Sequence, residues 1–179
     1  MYIEPSNEQP QIPQPTGDDQ KEVFAFIGFA TYTAHRLEAE LINLVVALRA
    51  NGEVDLDEAE VDRLFMDHQR RTMGQLVGAV RTLLAVSADE ETCIALAVEE
   101  RNRLAHRFFR EHAQEFFIPS GRRAMIDNLR AICTAILAAE EMVSWLSVQL
   151  WSMAGVNKAV RESEAEALKA KAEQRDAAL

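Results

Sequence analysis

The sequence predicts an all-α protein, an up-and-down bundle of about four long helices. Three observations carry that expectation. Apolar residues recur at helical spacing, and no segment alternates apolar and polar side chains as a half-buried strand does. Helix breakers are few, with 7 Gly and 5 Pro in 179 residues. At 48% apolar residues the chain is globular, and its length suits one domain with a full core.

Residues 1–20 hold Pro5, Pro10, Pro13 and Pro15 among Gln, Glu and Asp. That composition buries too little apolar surface to order itself, so a flexible tail is expected. Residues 21–157 form the helical domain. Its first helix runs from about Lys21 to Ala50, with Phe24, Ile27, Ala34, Leu41, Leu44, Val45 and Leu48 at apolar positions, and Asn51-Gly52 stops it. A second, from Asp55 to about Val86, opens on Asp55, Asp57, Glu58 and Glu60, which suit the positive end of the helix dipole. A break or bend is expected near Asp67–Thr72, and the spacing of Gly74 and Gly78 predicts close approach of another helix. Ser87 with Glu90 forms a capping box for a third helix that runs to about Phe117. Pro119-Ser120-Gly121 reads as a turn, and a fourth helix follows from about Arg122 to Ala154. Residues 158–179 are charged and Ala-rich with almost no apolar stripe, so a projecting helical extension is expected.

The formal charge of −10 argues against a surface that coats nucleic acid. It is unevenly spread. Residues 101–130 carry seven arginines against Glu111, Glu115 and Asp127, a local excess of four positive charges. Such a cluster on an acidic protein suits a small anionic site. Cys93 and Cys133 lie far apart and form no CxxC pair, so neither a zinc site nor a disulfide framework is indicated. A reducing, cytoplasmic compartment fits, and the N-terminus is not basic-then-apolar as a secretory signal is. Residues 131–156 contain only Glu140 and Glu141 as charges. Two carboxylates at mid-bilayer would cost several kcal/mol, so no membrane span is expected there, and residues 23–34 are too short to cross.

The stretch Arg101-Asn102-Arg103-Leu104-Ala105-His106 is the chemically richest part of the chain. It is expected in the middle of a long, mostly buried helix, where such groups need partners. Asn102 and His106 share a face one turn apart. Arg101 stands about 140° round and roughly 7.5 Å along the axis from His106, and its side chain is long enough to reach a shared anion. Arg103, Arg107 and Arg110 form a second stripe suited to RNA phosphates. An imidazole titrates near neutrality, and a guanidinium offers a fixed fork to phosphate oxygens. These are parts for metal-free phosphodiester cleavage with the RNA 2′-hydroxyl as nucleophile. One motif supplies one His where base and acid are both wanted, so a two-fold homodimer is expected.

Arg-x4-His with Asn beside the Arg, on a helix of an all-helical domain, resembles the signature of HEPN domains. These are small helical bundles of bacterial toxin–antitoxin and antiviral systems, many of them metal-independent endoribonucleases acting as dimers. The resemblance covers roughly residues 21–157. It implies that Arg101 and His106 are catalytic and Asn102 supportive, that RNA is the substrate, and that an antitoxin or regulatory protein is a partner. HEPN toxins silenced by nucleotidylation carry Tyr two residues after the His; Phe108 stands there, so that control is not expected.

The alternative is a non-catalytic helical dimerisation module whose Arg/His cluster is an interface network. His35-x-x-Glu38 and His112-x-x-Glu115 place His and carboxylate on shared helix faces, but solvated faces account for them and no metal is expected. His68 beside Arg70-Arg71 reads as solvated surface, or else as an RNA groove. Trp145 and Trp151 read as core or interface packing. No Gly-rich phosphate loop, Gly-x-Ser-x-Gly or kinase signature appears, so no cofactor is called for.

Overall fold

The computed structural model describes residues 10–52, 58–155 and, beyond them, 166, 167, 170, 171 and 173–175. Residues 1–9, Asp55, Asp57 and most of the 158–179 extension lie outside the described residues. The described residues are all-α, with no strand among them. Their order is α1 (Gln20–Gly52), α2 (Glu58–His68), α3 (Met73–Leu83), α4 (Ala88–His106), α5 (Phe108–Glu111), a 3₁₀ turn at Glu115–Phe117, and α6 (Pro119–Met153).

α1 is the centre of the molecule. Asp19 accepts the Glu22 amide at 2.8 Å and so caps its start. At its far end the Asn51 side chain donates to the Ala47 and Leu150 carbonyls at 2.9 and 2.8 Å. Every residue from Glu40 to Ala47 is buried, which a helix allows only when neighbours cover it all round. α6 supplies most of that cover, with Met125, Ile126, Leu129, Ile132 and Ile136 almost wholly buried. By length and composition α6 could cross a membrane, but its apolar face is spent on α1 and the polar seam described below.

Contacts between the α1 and α6 regions keep a nearly constant sequence offset. Arg122 to Asp18 and Arg36 to Glu140 each span 104 residues, and Asn43 to Trp151 spans 108. The two longest helices therefore run parallel, whereas a four-helix up-and-down path would set its first and last helices antiparallel. The difference begins at residues 69–72, where the expected break or bend is a full break between two helices. Thr72 accepts the Gln75 amide at 3.3 Å while the Gln75 side chain accepts the Thr72 amide at 2.9 Å. That capping box starts α3 as a separate helix. The Ser87–Glu90 box is formed as expected and starts α4.

The expected third helix also divides. α4 stops at His106, and the helical path resumes only for Phe108–Glu111. The break places Phe108, 1% exposed, in the core. Pro119-Ser120-Gly121 is the first turn of α6 rather than a turn before it, with Pro at the position where its missing N–H costs nothing. Gly121 is required by contact: a Cβ there would lie 2.2 Å from the Glu115 carbonyl oxygen. Residues 11–18 have no regular structure, but Ile12 packs on the core and Arg122 donates to the Asp18 carbonyl.

Candidate functional site

The Arg101–His106 motif occupies the last two turns of α4, not the middle of a longer helix. Its surroundings also differ from expectation. Arg101 is half-buried, while Asn102 and His106 are exposed, so water meets much of their hydrogen-bonding need. Arg101 Nη1 donates to Asn102 Oδ1 at 3.2 Å. Among the described residues it forms no ion pair, and no carboxylate holds the His106 ring. Arg103 and His106 in the final turn complement the negative end of the α4 dipole.

The neighbouring arginines are more committed. Arg103 pairs with Glu111 at 2.7 Å and Glu100 at 3.2 Å, and those carboxylates hold its guanidinium above its ordinary value. Arg103 in turn holds the Glu111 carboxyl below its usual range. Arg107 reaches Glu111 only at 3.9 Å. Arg110 donates to the His106 carbonyl at 3.0 Å, which covers one open acceptor at the helix end. The expected stripe of three RNA-facing arginines is thus largely engaged by its own chain, with Arg107 the least occupied.

Between α3 and α4 lies an open groove of about 400 Å³. Gly74, Val77, Ala95 and Val98 form its apolar walls, and Arg81, Glu99, Asn102 and Arg107 its polar rim. Neither Arg101 nor His106 lines it. Asn102 is therefore the residue shared between the motif and the groove. The close helix approach expected at Gly74 and Gly78 does not occur: a Cβ at either would meet nothing within 4 Å. The two glycines leave open space instead.

A second polar site is buried between α1 and α6. Thr33, Arg36, Glu40 and Asn43, at intervals of three, four and three residues, form one buried stripe. Arg36 Nε donates to Glu140 Oε1 at 2.7 Å, and a second donor from the same guanidinium reaches that oxygen. Tyr32 lies beneath the guanidinium with its ring centroid 5.8 Å away. Burial disfavours the charge on Arg36, but hydrogen bonding to Glu140 and Tyr32 outweighs it and raises the group above its ordinary value. Glu140 Oε2 has no hydrogen-bond partner among the described residues. Trp151 Nε1 donates to Asn43 Oδ1 at 2.7 Å, closing the seam.

Two of the remaining histidines depart from expectation. The His112 side chain, expected on a solvated face, is 14% exposed with both ring nitrogens buried, and its ring lies 4.7 Å from that of Phe108. His68 is buried at 3% exposure rather than solvated. Burial, followed by the nearby positive charges of Arg71 and Arg49, lowers its pKa. His35 and His112 lie 3.9 and 3.8 Å from Glu38 and Glu115. Among the described residues no three His, Cys, Asp or Glu side chains gather as metal ligands would. Trp145 is 60% exposed, whereas Trp151 is half-buried in the seam. Burial pushes the Cys133 thiol up to about 11. No protein-family model, curated protein or solved structure matches the chain.

Proposed function

We propose that the protein is a metal-independent endoribonuclease of HEPN type, working as a two-fold homodimer in the cytoplasm as a defence or toxin component. The observation that carries this reading is the state of Arg101. On a chain with 29 acidic residues, its guanidinium stands beside an amide and pairs with no described carboxylate. The exposed imidazole of His106 follows five residues later on the same helix. A guanidinium without a carboxylate is ready for an external anion.

In the proposed reaction one His106 takes the proton of a 2′-hydroxyl as that oxygen attacks phosphorus. The P–O5′ bond breaks, and the second protomer's His106 gives a proton to the leaving 5′-oxygen. A 2′,3′-cyclic phosphate and a 5′-hydroxyl result. Arg101 stabilises the added charge on the pentacovalent phosphorus, and Asn102 holds Arg101 in place.

The dimer contact we propose is the aromatic cluster beside the motif. The Phe24 ring lies 6.2 Å from that of Phe109 and 5.6 Å from that of Phe116. Phe24, Phe109 and Phe117 are 53, 48 and 75% exposed. Exposed rings gathered this way mark an interaction surface, and Phe109 stands three residues from His106. The same cluster favours the alternative, a dimerisation module without catalysis. Product analysis separates them. Wild-type protein in EDTA should convert single-stranded RNA to fragments with 2′,3′-cyclic phosphate ends, and Arg101→Lys should impair this by removing the fork. Intact RNA after prolonged incubation would favour the module.

A further inference from the structure

We infer that the groove between α3 and α4 is a binding subsite for a guanine nucleotide. Its volume of about 400 Å³ falls in the range of small-ligand sites, roughly 300–1,000 Å³. Val77 and Val98 give it an apolar wall, and the space a side chain would occupy at Gly74 is empty. A flat ring can lie there without displacing protein atoms.

Glu99 on the rim chooses the ring. It is exposed and makes no hydrogen bond or ion pair with another described residue. A carboxylate only accepts hydrogen bonds, and it has two oxygens to do so. Guanine presents N1–H and the 2-amino group side by side on its Watson–Crick edge, two donors for two oxygens. Adenine and cytosine each set one amino donor beside an unprotonated ring nitrogen, whose lone pair the carboxylate repels. Uracil offers one N–H between two carbonyls. A carboxylate on this rim therefore favours guanine, which offers it two donors where each of the other bases offers one.

The phosphate end is also provided. Arg107 caps the end of α4 eight residues after Glu99, about 12 Å along the axis. Its carboxylate contact, to Glu111 at 3.9 Å, is long because Arg103 holds that carboxylate's other oxygen at 2.7 Å. Asn102, between the two, is also the partner of Arg101. A guanine base seated in the groove thus brings its phosphate toward the motif. Free guanine nucleotide and guanine within single-stranded RNA share this chemistry; the RNA source rests on the ribonuclease reading, the free nucleotide does not.

The test titrates the full chain with GMP, AMP, CMP and UMP, and maps the cut positions in mixed-sequence RNA. GMP should bind at least about tenfold tighter than the other three, as two hydrogen bonds to a charged acceptor warrant. Glu99→Gln should remove that preference. Gly74→Leu should abolish GMP binding with an unchanged melting temperature, because the added side chain enters empty space. Equal binding of the four nucleotides, or a guanine preference that survives Glu99→Gln, would overturn the inference. RNA cut without guanine preference and without discrimination among the mononucleotides overturns it too, yet leaves the ribonuclease reading standing. GMP preference with no RNA cleavage at all keeps the groove as a free-nucleotide site and ends that reading. Cuts beside guanine that lose their selectivity in Glu99→Gln assign the base to RNA.

Discussion

Two arginines of this molecule have opposite surroundings. Arg36 lies between α1 and α6 with its charge met by Glu140 and stacked over Tyr32. Arg101 lies at the end of α4 with an amide beside it and no carboxylate paired to it among the described residues. The first is closed to any external anion; the second is open to one. A buried charge without a partner is unstable, so Arg36 must be paired. A half-buried one at a helix end keeps access to water and can wait for a ligand. This contrast separates a charge closed within the fold from one left open to an external anion.

The largest test of the contrast is truncation of each arginine. Arg36→Ala strands Glu140 in the core, and we expect a loss of about 3–5 kcal/mol, read as a fall in melting temperature on the order of 10 °C. Arg101→Ala should cost less than about 1 kcal/mol, as a side chain outside the packed core does. Equal losses at the two positions would break the comparison.

A smaller effect sharpens it. Replacing the whole pair, with Arg36→Met and Glu140→Leu together, should recover most of what Arg36→Ala loses, because no buried charge is left. Denaturant midpoints of the single and double variants form the measurement. A double variant as unstable as Arg36→Ala would mean that the pair, not its desolvation, sets stability.

The smallest expected effect is a pH dependence at His68, whose pKa the fold lowers from 6.5. Between the folded and unfolded values the unfolded chain binds the extra proton, so stability is fully present above 6.5 and is lost as pH falls below it. Melting temperature should decline from about pH 7.5 to 5.5. In His68→Leu that decline should shrink. An unchanged slope would place the titration elsewhere.

Much of the fold was legible from spacing. The apolar period gave α1 and α6, and the Ser87–Glu90 box marked the start of α4. The break between α2 and α3 was legible in part. The apolar run stops at Met66 and resumes at Met73, and Thr72-x-x-Gln75 is a capping-box pattern, but a polar stretch of six residues does not by itself distinguish a bend from a full stop. The end of α4 at His106 was not legible, because the demand to bury Phe108 is set by tertiary packing rather than by local pattern. The parallel course of α1 and α6 fits the first of these breaks, which adds one helix to the up-and-down path. Arg101, Asn102 and His106 were readable as chemistry, whereas their exposure was not. The Arg36–Glu140 seam escaped because its partners lie 104 residues apart, although an arginine in the middle of an apolar helix signals a need for one. His68 was misread as surface because its neighbours Arg70 and Arg71 are charged, while its own position faces inward.

The central claim is that Arg101 and His106 are held open for a phosphodiester. It is tested most directly by the rate of RNA cleavage in EDTA for wild-type protein and His106→Ala, with the melting temperature of each. The account predicts cleavage by the wild type, a loss of roughly 10²–10⁴-fold in the variant, and a stability change within about 0.5 kcal/mol, as befits an exposed side chain. RNA left intact by the wild type, or cleaved equally by the variant, would contradict it.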